Sequence, residues 1–148
     1  MNIEQSILPL LGKTVKFLDL HIEDKFAEAG IPLSKLQFVF LMLISKNDGQ
    51  PQCNLAEITG RDKTTFTRNI STLERNNLVT RKPSENDKRV KLVFITKLGQ
   101  ELVQKAMPII SEIVGEIESD ISEEERAVFV KTLDKIKTKL LEIRNKQL

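Results

Sequence analysis

Residues 54–99, NLAEITGRDKTTFTRNISTLERNNLVTRKPSENDKRVKLVFITKLG, decide the fold that we predict for this chain. The first of them, 54–59, have a helical pattern that ends in a tight turn at Gly60. Asp62 is placed to cap a second helix, which we predict over residues 63–77. Two helices joined by so short a turn are typical of a helix-turn-helix, whose second helix is offered to the DNA major groove.

The rest of the stretch indicates a β-ribbon. Residues 78–82 form one strand pattern, residues 90–96 form another, and the charged segment 83–89 joins them as a loop. A helix-turn-helix followed by such a ribbon is a winged helix-turn-helix, a unit that reads DNA.

Two helices are predicted before this unit. Apolar residues recur at helical spacing from the N-terminus, which predicts a helix starting near Pro9 and ending by Gly30. Ser34 then forms a capping box with Gln37 and opens a second helix. Its residues 38–44 are all apolar, so we expect that segment to be buried on every side.

Two more helices are predicted after it. Thr96 is placed to cap the first, from about Leu98 to Ser119, and Ser122 forms a capping box that opens the last. The last helix carries an apolar stripe at steps of three and four residues: Phe129, Leu133, Ile136, Leu140 and Ile143. An intramolecular helical hairpin could cover this stripe. We favour a homodimer, because the stripes are too extended for one small domain to cover.

The length of 148 residues indicates a single domain, residues 1–148, mainly α with a small β-hairpin wing. Within it, residues 33–98 form the winged-helix DNA-binding module, and residues 1–30 and 99–148 form dimerisation helices. No apolar run approaches the roughly 20 residues of a membrane span. The N-terminus lacks a signal-peptide pattern, and the chain has one cysteine. We therefore expect a cytoplasmic protein with no membrane association.

Charge is concentrated in the module. The whole chain has a net charge of +2, whereas residues 55–98 contain ten basic and five acidic side chains. A basic segment between acidic flanks is expected of an element that contacts phosphates. The other interpretation is an ordinary solvated surface with a mild bias.

The predicted second helix of the module has two distinct faces. Phe66, Ile70 and Leu73 share one face, which we expect to pack inward. The opposite face is polar and lacks acidic residues. Hydroxyls and guanidinium groups can bond base edges or phosphates, and a helix N-terminus attracts phosphate. The candidate DNA-binding residues of this helix are Lys63, Thr64, Thr65, Thr67, Arg68, Ser71 and Arg75. The alternative is an amphipathic helix with a polar outside.

The tip of the ribbon adds three candidates, Asp87, Lys88 and Arg89. A guanidinium at a ribbon tip can enter the narrow minor groove, where the negative potential is enhanced. Asp87 and Arg89 lie two residues apart and could pair, which would orient the arginine. A solvated hairpin tip is the alternative, since exposed ion pairs contribute only about 0–1 kcal/mol.

Five short motifs of the module carry a family resemblance: LAEI at 55–58, TTFTR at 64–68, LERNNLV at 73–79, NDKR at 86–89 and ITKLG at 95–99. Through these motifs the chain resembles the MarR family of bacterial transcriptional regulators. It implies a homodimer with intertwined terminal helices and one winged helix per subunit. It also implies binding to a pseudo-palindromic operator in double-stranded DNA, most often as a repressor. A small molecule, often a phenolic, would release the DNA.

By position, the resemblance assigns groove reading to Thr64, Thr65, Thr67 and Arg68. It assigns the wing acid–arginine pair to Asp87 and Arg89. The family usually has Gly where Asn77 stands, but Asn also adopts the left-handed conformation that the turn needs. Lys88 stands where the family often has another residue, which leaves the specificity of the wing open.

The remaining candidates carry weaker signals. Cys53 precedes the predicted Asn54 cap, and we favour a buried or inert thiol over a redox sensor. The effector-binding residues are unknown. Phe17 and His21 are weak candidates, because the family's first helix borders the effector crevice.

No metal or cofactor is expected, since one cysteine and one histidine cannot supply a typical metal-ligand set. The chain lacks a Gly-rich phosphate loop, a serine elbow and a histidine dyad, so we do not expect an enzyme. The alternative function is a winged-helix protein-interaction module without DNA binding. That function would need an apolar patch on the outward helix face.

Overall fold

The computed structural model describes residue 3 and residues 6–146 of the chain. In this part it has six helices and three strands, in the order α1 Ile7–Glu28, α2 Lys35–Lys46, β1 Gln50–Pro51, α3 Gln52–Thr59, α4 Lys63–Arg75, β2 Val79–Pro83, β3 Lys91–Ile95, α5 Lys97–Glu118 and α6 Glu123–Asn145. The mainly helical class with a small β wing is confirmed. The chain divides into two compact units, one ending at Glu112 and the other beginning at Ile113.

Helix α1 begins earlier than the sequence predicts. Ser6 caps it, because the Ser6 side chain accepts a hydrogen bond from the Leu8 backbone N–H. Pro9 therefore lies at the third helical position, where a missing N–H costs nothing because the first-turn N–H groups have no intrahelical acceptor. The start that we predicted near Pro9 is two residues late.

Helix α2 is the centre of the core of the first unit. The predicted capping box of Ser34 and Gln37 is confirmed in both directions. Phe40, Leu41 and Ile44 are fully buried, and the Phe40 ring lies 4.8 Å from the Phe66 ring of α4, centroid to centroid. The expectation of burial on every side is wrong, since residues 39, 42 and 43 stay partly exposed.

The helix-turn-helix has slightly different limits from those predicted. Helix α3 begins at Gln52 rather than Asn54, and Pro51 precedes it without a side-chain cap. Gly60 ends α3 in the left-handed conformation. Helix α4 stops at Arg75, two residues early, because Asn77 has a positive φ of 59° and cannot continue the helix. The left-handed turn expected at Asn77 is confirmed.

The wing is a three-stranded antiparallel sheet in the order β1-β3-β2. The two predicted strands pair from Val79 opposite Ile95 to Pro83 opposite Lys91. The third strand, β1, was not predicted from the sequence, and it pairs Gln50 with Val93. A two-residue strand carries no alternation in the sequence, so the pattern could not reveal it.

Helix α5 is anchored to the turn after α4. Thr96 caps it as predicted, since its hydroxyl accepts from the Gly99 N–H at 3.0 Å and donates to the Asn77 carbonyl at 2.7 Å. The Thr96 N–H also bonds the Leu78 carbonyl. A Cβ at Gly99 would lie 2.2 Å from that same carbonyl oxygen. Only glycine lets the helix approach the turn so closely.

Helix α6 belongs to the second unit. The predicted capping box of Ser122 and Glu125 is confirmed. The hydrogen bond that the Ser122 backbone N–H donates to the Glu125 carboxylate lowers the pKa of Glu125. No residue of α6 is buried, and its apolar stripe includes Phe129 and Leu140, each more than half exposed. Across the described residues, no helix is long and apolar enough to cross a membrane.

Candidate nucleic-acid interface

Helix α4 is held by its apolar face and by its cap. Phe66, Ile70 and Leu73 are fully buried, as predicted from the spacing. Asp62 caps the helix, and its carboxylate accepts from the Thr65 N–H at 2.8 Å. Hydrogen bonding from the Thr65 side chain and from the Thr65 backbone N–H lowers the pKa of Asp62, because both stabilise the ionised carboxylate.

The outward face of α4 is polar and open to solvent. Five of the seven predicted DNA-binding residues on this helix are exposed: Lys63, Thr64, Thr67, Arg68 and Arg75. The other two, Thr65 and Ser71, are half-buried. The face therefore presents cations and hydroxyls without a large apolar side chain, and this surface suits phosphates and base edges.

Several of these side chains already have partners within the chain. The Thr67 hydroxyl accepts from the amide of Gln52 at 3.0 Å, which joins α3 to α4. Arg75 donates to the Thr72 hydroxyl at 3.2 Å, one turn back along the same helix. In residues 6–146, the Arg68 side chain has no ion pair within 4.0 Å. The guanidinium of Arg75 is thus hydrogen-bonded within its own helix, whereas that of Arg68 is free of an ion pair among the described residues.

The tip of the wing is an ordered loop with an outward arginine. Asp87 accepts from the Arg89 backbone N–H at 2.9 Å, and its carboxylate lies 3.7 Å from the Arg89 Nε. The Arg89 side chain is nonetheless 96% exposed. The predicted pairing of Asp87 with Arg89 is therefore present, and it orients the arginine without covering it. Lys88 between them is exposed as well.

A second acid–arginine pair, which was not predicted from the sequence, joins the wing to α4. Glu74 of α4 accepts from the Arg81 backbone N–H at 3.0 Å, from Nε at 3.0 Å and from Nη2 at 2.5 Å. Nη2 also lies 3.3 Å from the Ser71 hydroxyl. The hydrogen bonds from Arg81 lower the pKa of Glu74. One feature of the sequence could have indicated this pair: Glu74 is the single acidic residue of a helix whose polar side chains are otherwise cations, hydroxyls and one amide.

Cys53 differs from its expectation. It lies in the first turn of α3 rather than before a cap, and its thiol is exposed rather than buried. A cavity of about 310 Å³ adjoins it, lined by Gln52, Cys53, Arg81, Arg89, Val90 and Lys91. Within the described residues, no cluster of acidic, histidine and cysteine side chains could hold a metal ion.

The two weak effector candidates lie on the exposed side of α1. His21 is exposed, Phe17 is 59% exposed, and the Lys13 Nζ sits 5.7 Å from the Phe17 ring centroid. Neither residue lines the cavity of about 410 Å³ found where α1, α2 and α3 meet. Its lining residues are Asp19, Glu23, Lys35, Leu36, Val39, Phe40, Ile58, Thr59 and Arg61.

Comparison with known proteins gives one consistent family. The MarR family model matches residues 33–91. Over 96 residues the chain is 31% identical to an uncharacterized HTH-type transcriptional regulator, YybA, of Bacillus subtilis strain 168. That alignment covers 65% of this chain and 63% of the relative. The chain thus spans just under two thirds of the length of that relative.

Two solved structures extend the likeness to nearly the whole chain. An uncharacterized SlyA-like transcription regulator from Listeria monocytogenes is 30% identical, with a TM-score of 0.81 over 93% of this chain and 91% of that one. A MarR transcriptional regulator from Methanosarcina mazei Go1 is 29% identical, with a TM-score of 0.71 over 91% and 99%. This chain therefore belongs to the MarR family of transcriptional regulators.

Proposed function

We propose that this chain is a sequence-specific DNA-binding transcriptional regulator, a repressor that a small-molecule effector releases from its operator. The observation that carries the proposal is the exposed polar face of α4 beside the exposed Arg89 of the wing. A helix of this kind fits the major groove, and an arginine at the wing tip fits the adjacent minor groove. The relatives are regulators, so we propose no catalytic activity.

The role of each site residue follows from its surroundings. Arg68 and Thr64 would contact base edges, Lys63 would bind a phosphate at the start of α4, and Arg89 would enter the minor groove. The Thr67 and Ser71 hydroxyls are hydrogen-bonded to Gln52 and Arg81. We therefore propose that these two residues help to hold neighbouring side chains in place, in addition to any contact that they make with DNA.

We propose a homodimer as the active form. No residue of the apolar stripe of α6 is buried, and Phe129, Leu140 and Ile143 are exposed, while α1 separately exposes Leu8, Leu10 and Phe17. Apolar surface of this extent on two helices favours burial against a second copy. Two copies would present their recognition helices one DNA turn apart, roughly 34–36 Å, or a multiple of it, as a pseudo-palindromic operator requires.

The effector would be a small phenolic compound. The cavity where α1, α2 and α3 meet supports this, because it has apolar side chains, including Leu36, Val39 and Ile58, beside the guanidinium of Arg61. The other charged lining residues are the Lys35–Asp19 ion pair and Glu23. Apolar walls with a few polar groups are usual for small-molecule sites, and a cation would attract a phenolate or carboxylate. Arg61 lies in the turn before α4, so a ligand there could shift the recognition helix. The expected coupling free energy between binding of the ligand and binding of DNA is about 1–3 kcal/mol.

The alternative is a winged helix that binds only proteins. A binding titration of the purified chain with a fluorescent mixed-sequence duplex separates the two functions. A DNA-binding protein loses affinity steeply between low and moderate salt, because bound phosphates release counterions. The absence of binding even at low salt would support the protein-interaction module. Adding salicylate, a simple phenolic carboxylate, to the preformed complex tests the effector class.

A further inference from the structure

We propose that Arg81 is a positioning residue for DNA recognition: paired with Glu74, it locks the wing onto the recognition helix so that both contact one DNA site together. This inference rests on the proposed function. It assigns to Arg81 and Glu74 a task that leaves their side chains away from the nucleic acid.

The pair joins two elements that a short turn connects along the chain. Glu74 lies in the last turn of α4, and Arg81 lies in the middle of β2, opposite Val93 of β3. Three donors of Arg81, two on the side chain and one on the backbone, converge on one carboxylate. A guanidinium that binds a carboxylate through two nitrogens has a fixed orientation, which a flexible single contact lacks.

The two arginines of the wing differ sharply in exposure. The Arg81 side chain is 24% exposed and directed onto Glu74 and Ser71, whereas the Arg89 side chain is 96% exposed. Arg89 is available to DNA, and Arg81 is occupied inside the module. Arg81 therefore contributes through the placement of the ribbon that carries Arg89.

Placement matters because the wing tip is far along the ribbon from its base. The strands pair from Val79 to Pro83, and the loop that carries Arg89 begins beyond the last pair. A small rotation at the base would displace Arg89 from the groove that α4 defines. Productive contacts must be held within fractions of an ångström to contribute fully.

A double-mutant cycle with Arg89→Ala tests the positioning role. If Arg81 acts by placing Arg89, the variants Arg81→Gln and Arg89→Ala each weaken duplex binding roughly 5- to 150-fold, the usual range for a lost contact. The double variant should then bind the duplex with about the same affinity as whichever single variant binds less tightly. Effects that multiply would overturn the proposal, because independent residues combine in that way.

A control on the same strand separates positioning from simple loss of charge. Lys82→Gln removes one positive charge from the residue next to Arg81, and Lys82 takes no part in the pair with Glu74. Its effect on binding, whatever its size, should multiply with that of Arg89→Ala. Arg81→Lys keeps the charge and can still pair with Glu74, so it should recover part of the affinity. Glu74→Gln should also weaken duplex binding, as Arg81→Gln does, because it removes the other partner of the pair.

Hydrogen exchange measured without DNA completes the test. In Glu74→Gln and Arg81→Gln, amides of β2 and the wing loop should exchange roughly tenfold faster or more, while those of α2 stay protected. Unchanged wing exchange would overturn the proposal even if DNA binding were reduced. A wild-type chain that binds no duplex would instead overturn the proposed function. It would remove the DNA role of Arg81, while the exchange data would still show whether the pair holds the wing.

Discussion

At the residue scale, the arginines of the winged module divide by what they already touch. On α4 and the wing, Arg68 is exposed with no ion pair among the described residues, and Arg89 is 96% exposed, with its Nε 3.7 Å from the Asp87 carboxylate. In contrast, the guanidinium groups of Arg75 and Arg81 are hydrogen-bonded to Thr72 and Glu74. A guanidinium that is already hydrogen-bonded must give up a partner before it can bind DNA. We therefore expect Arg68 and Arg89 to make the specific contacts of the module.

Replacing Arg68 with alanine should weaken binding to the preferred operator by about 1–3 kcal/mol and relax the preference for one base pair. The reason is that a guanidinium can grip a guanine with two hydrogen bonds, which alanine cannot replace. Binding of the variant to operators changed one position at a time measures this. Equal weakening on every sequence would show that Arg68 contacts a phosphate instead.

The stability of the module should fall with acid in a way that depends on Glu74. Its pKa is lowered in the folded chain by the hydrogen bonds from Arg81. The stabilisation is therefore complete above the unfolded value, about 4.3, and is lost as the pH falls through the lowered folded value. Thermal unfolding from pH 6 to pH 3 should decline less steeply in Glu74→Gln than in the wild type. Parallel curves would contradict this role of Glu74.

Hydrogen bonds between residues close in the sequence could be predicted from the sequence. The caps at Ser34, Asp62 and Ser122 were all predicted, because each bonds a residue three positions later. Glu74 and Arg81 are seven residues apart, on a helix and on a strand. Their pairing depends on the angle between the two elements, which no spacing rule supplies.

At the scale of elements, the junction of α4, β2 and α5 depends on a glycine. In the structure, Gly99 brings the first turn of α5 against the Leu78 carbonyl. Gly99→Ala should lower the free energy of unfolding by roughly 1–3 kcal/mol, because the new methyl group would force the backbones apart. Chemical unfolding followed by circular dichroism measures this loss.

The same helix offers a matched control. A methyl group added at Gly115 would meet no neighbour within 4 Å, so Gly115→Ala should be neutral or raise stability by up to about 1 kcal/mol. Alanine at position 99 that proved as harmless as alanine at position 115 would contradict the close approach.

The order of most of the elements could be predicted from the sequence, whereas the residues at which they begin and end were predicted less accurately. The helix-turn-helix and both wing strands were predicted, whereas β1 was missed and α3 begins two residues early. Strand β1 exists because Gln50 and Pro51 pair with β3, some forty residues later. Such pairing is a tertiary effect, which the local sequence of a two-residue strand does not reveal.

At the scale of the whole molecule, the exposed stripe of α6 should mediate assembly. Leu133→Asp should shift the chain from dimer to monomer and lower operator affinity with it, because a charge would be buried in an apolar interface. Sedimentation and duplex binding would be measured on the same preparations. Thr138→Asp, which changes an exposed position off the stripe, serves as the control. A monomeric Leu133→Asp variant with full operator affinity would contradict the dimeric mechanism.

The central claim is that two copies of α4 and the wing, one from each subunit, bind a symmetric DNA site. Selection from random duplexes at two salt concentrations, followed by sequencing, tests this claim most directly. We expect an enriched inverted repeat whose half-sites lie about one helical turn apart, with affinity that falls steeply as salt rises. A pool that stays random, with no salt-dependent binding, would contradict the claim that this winged helix reads DNA.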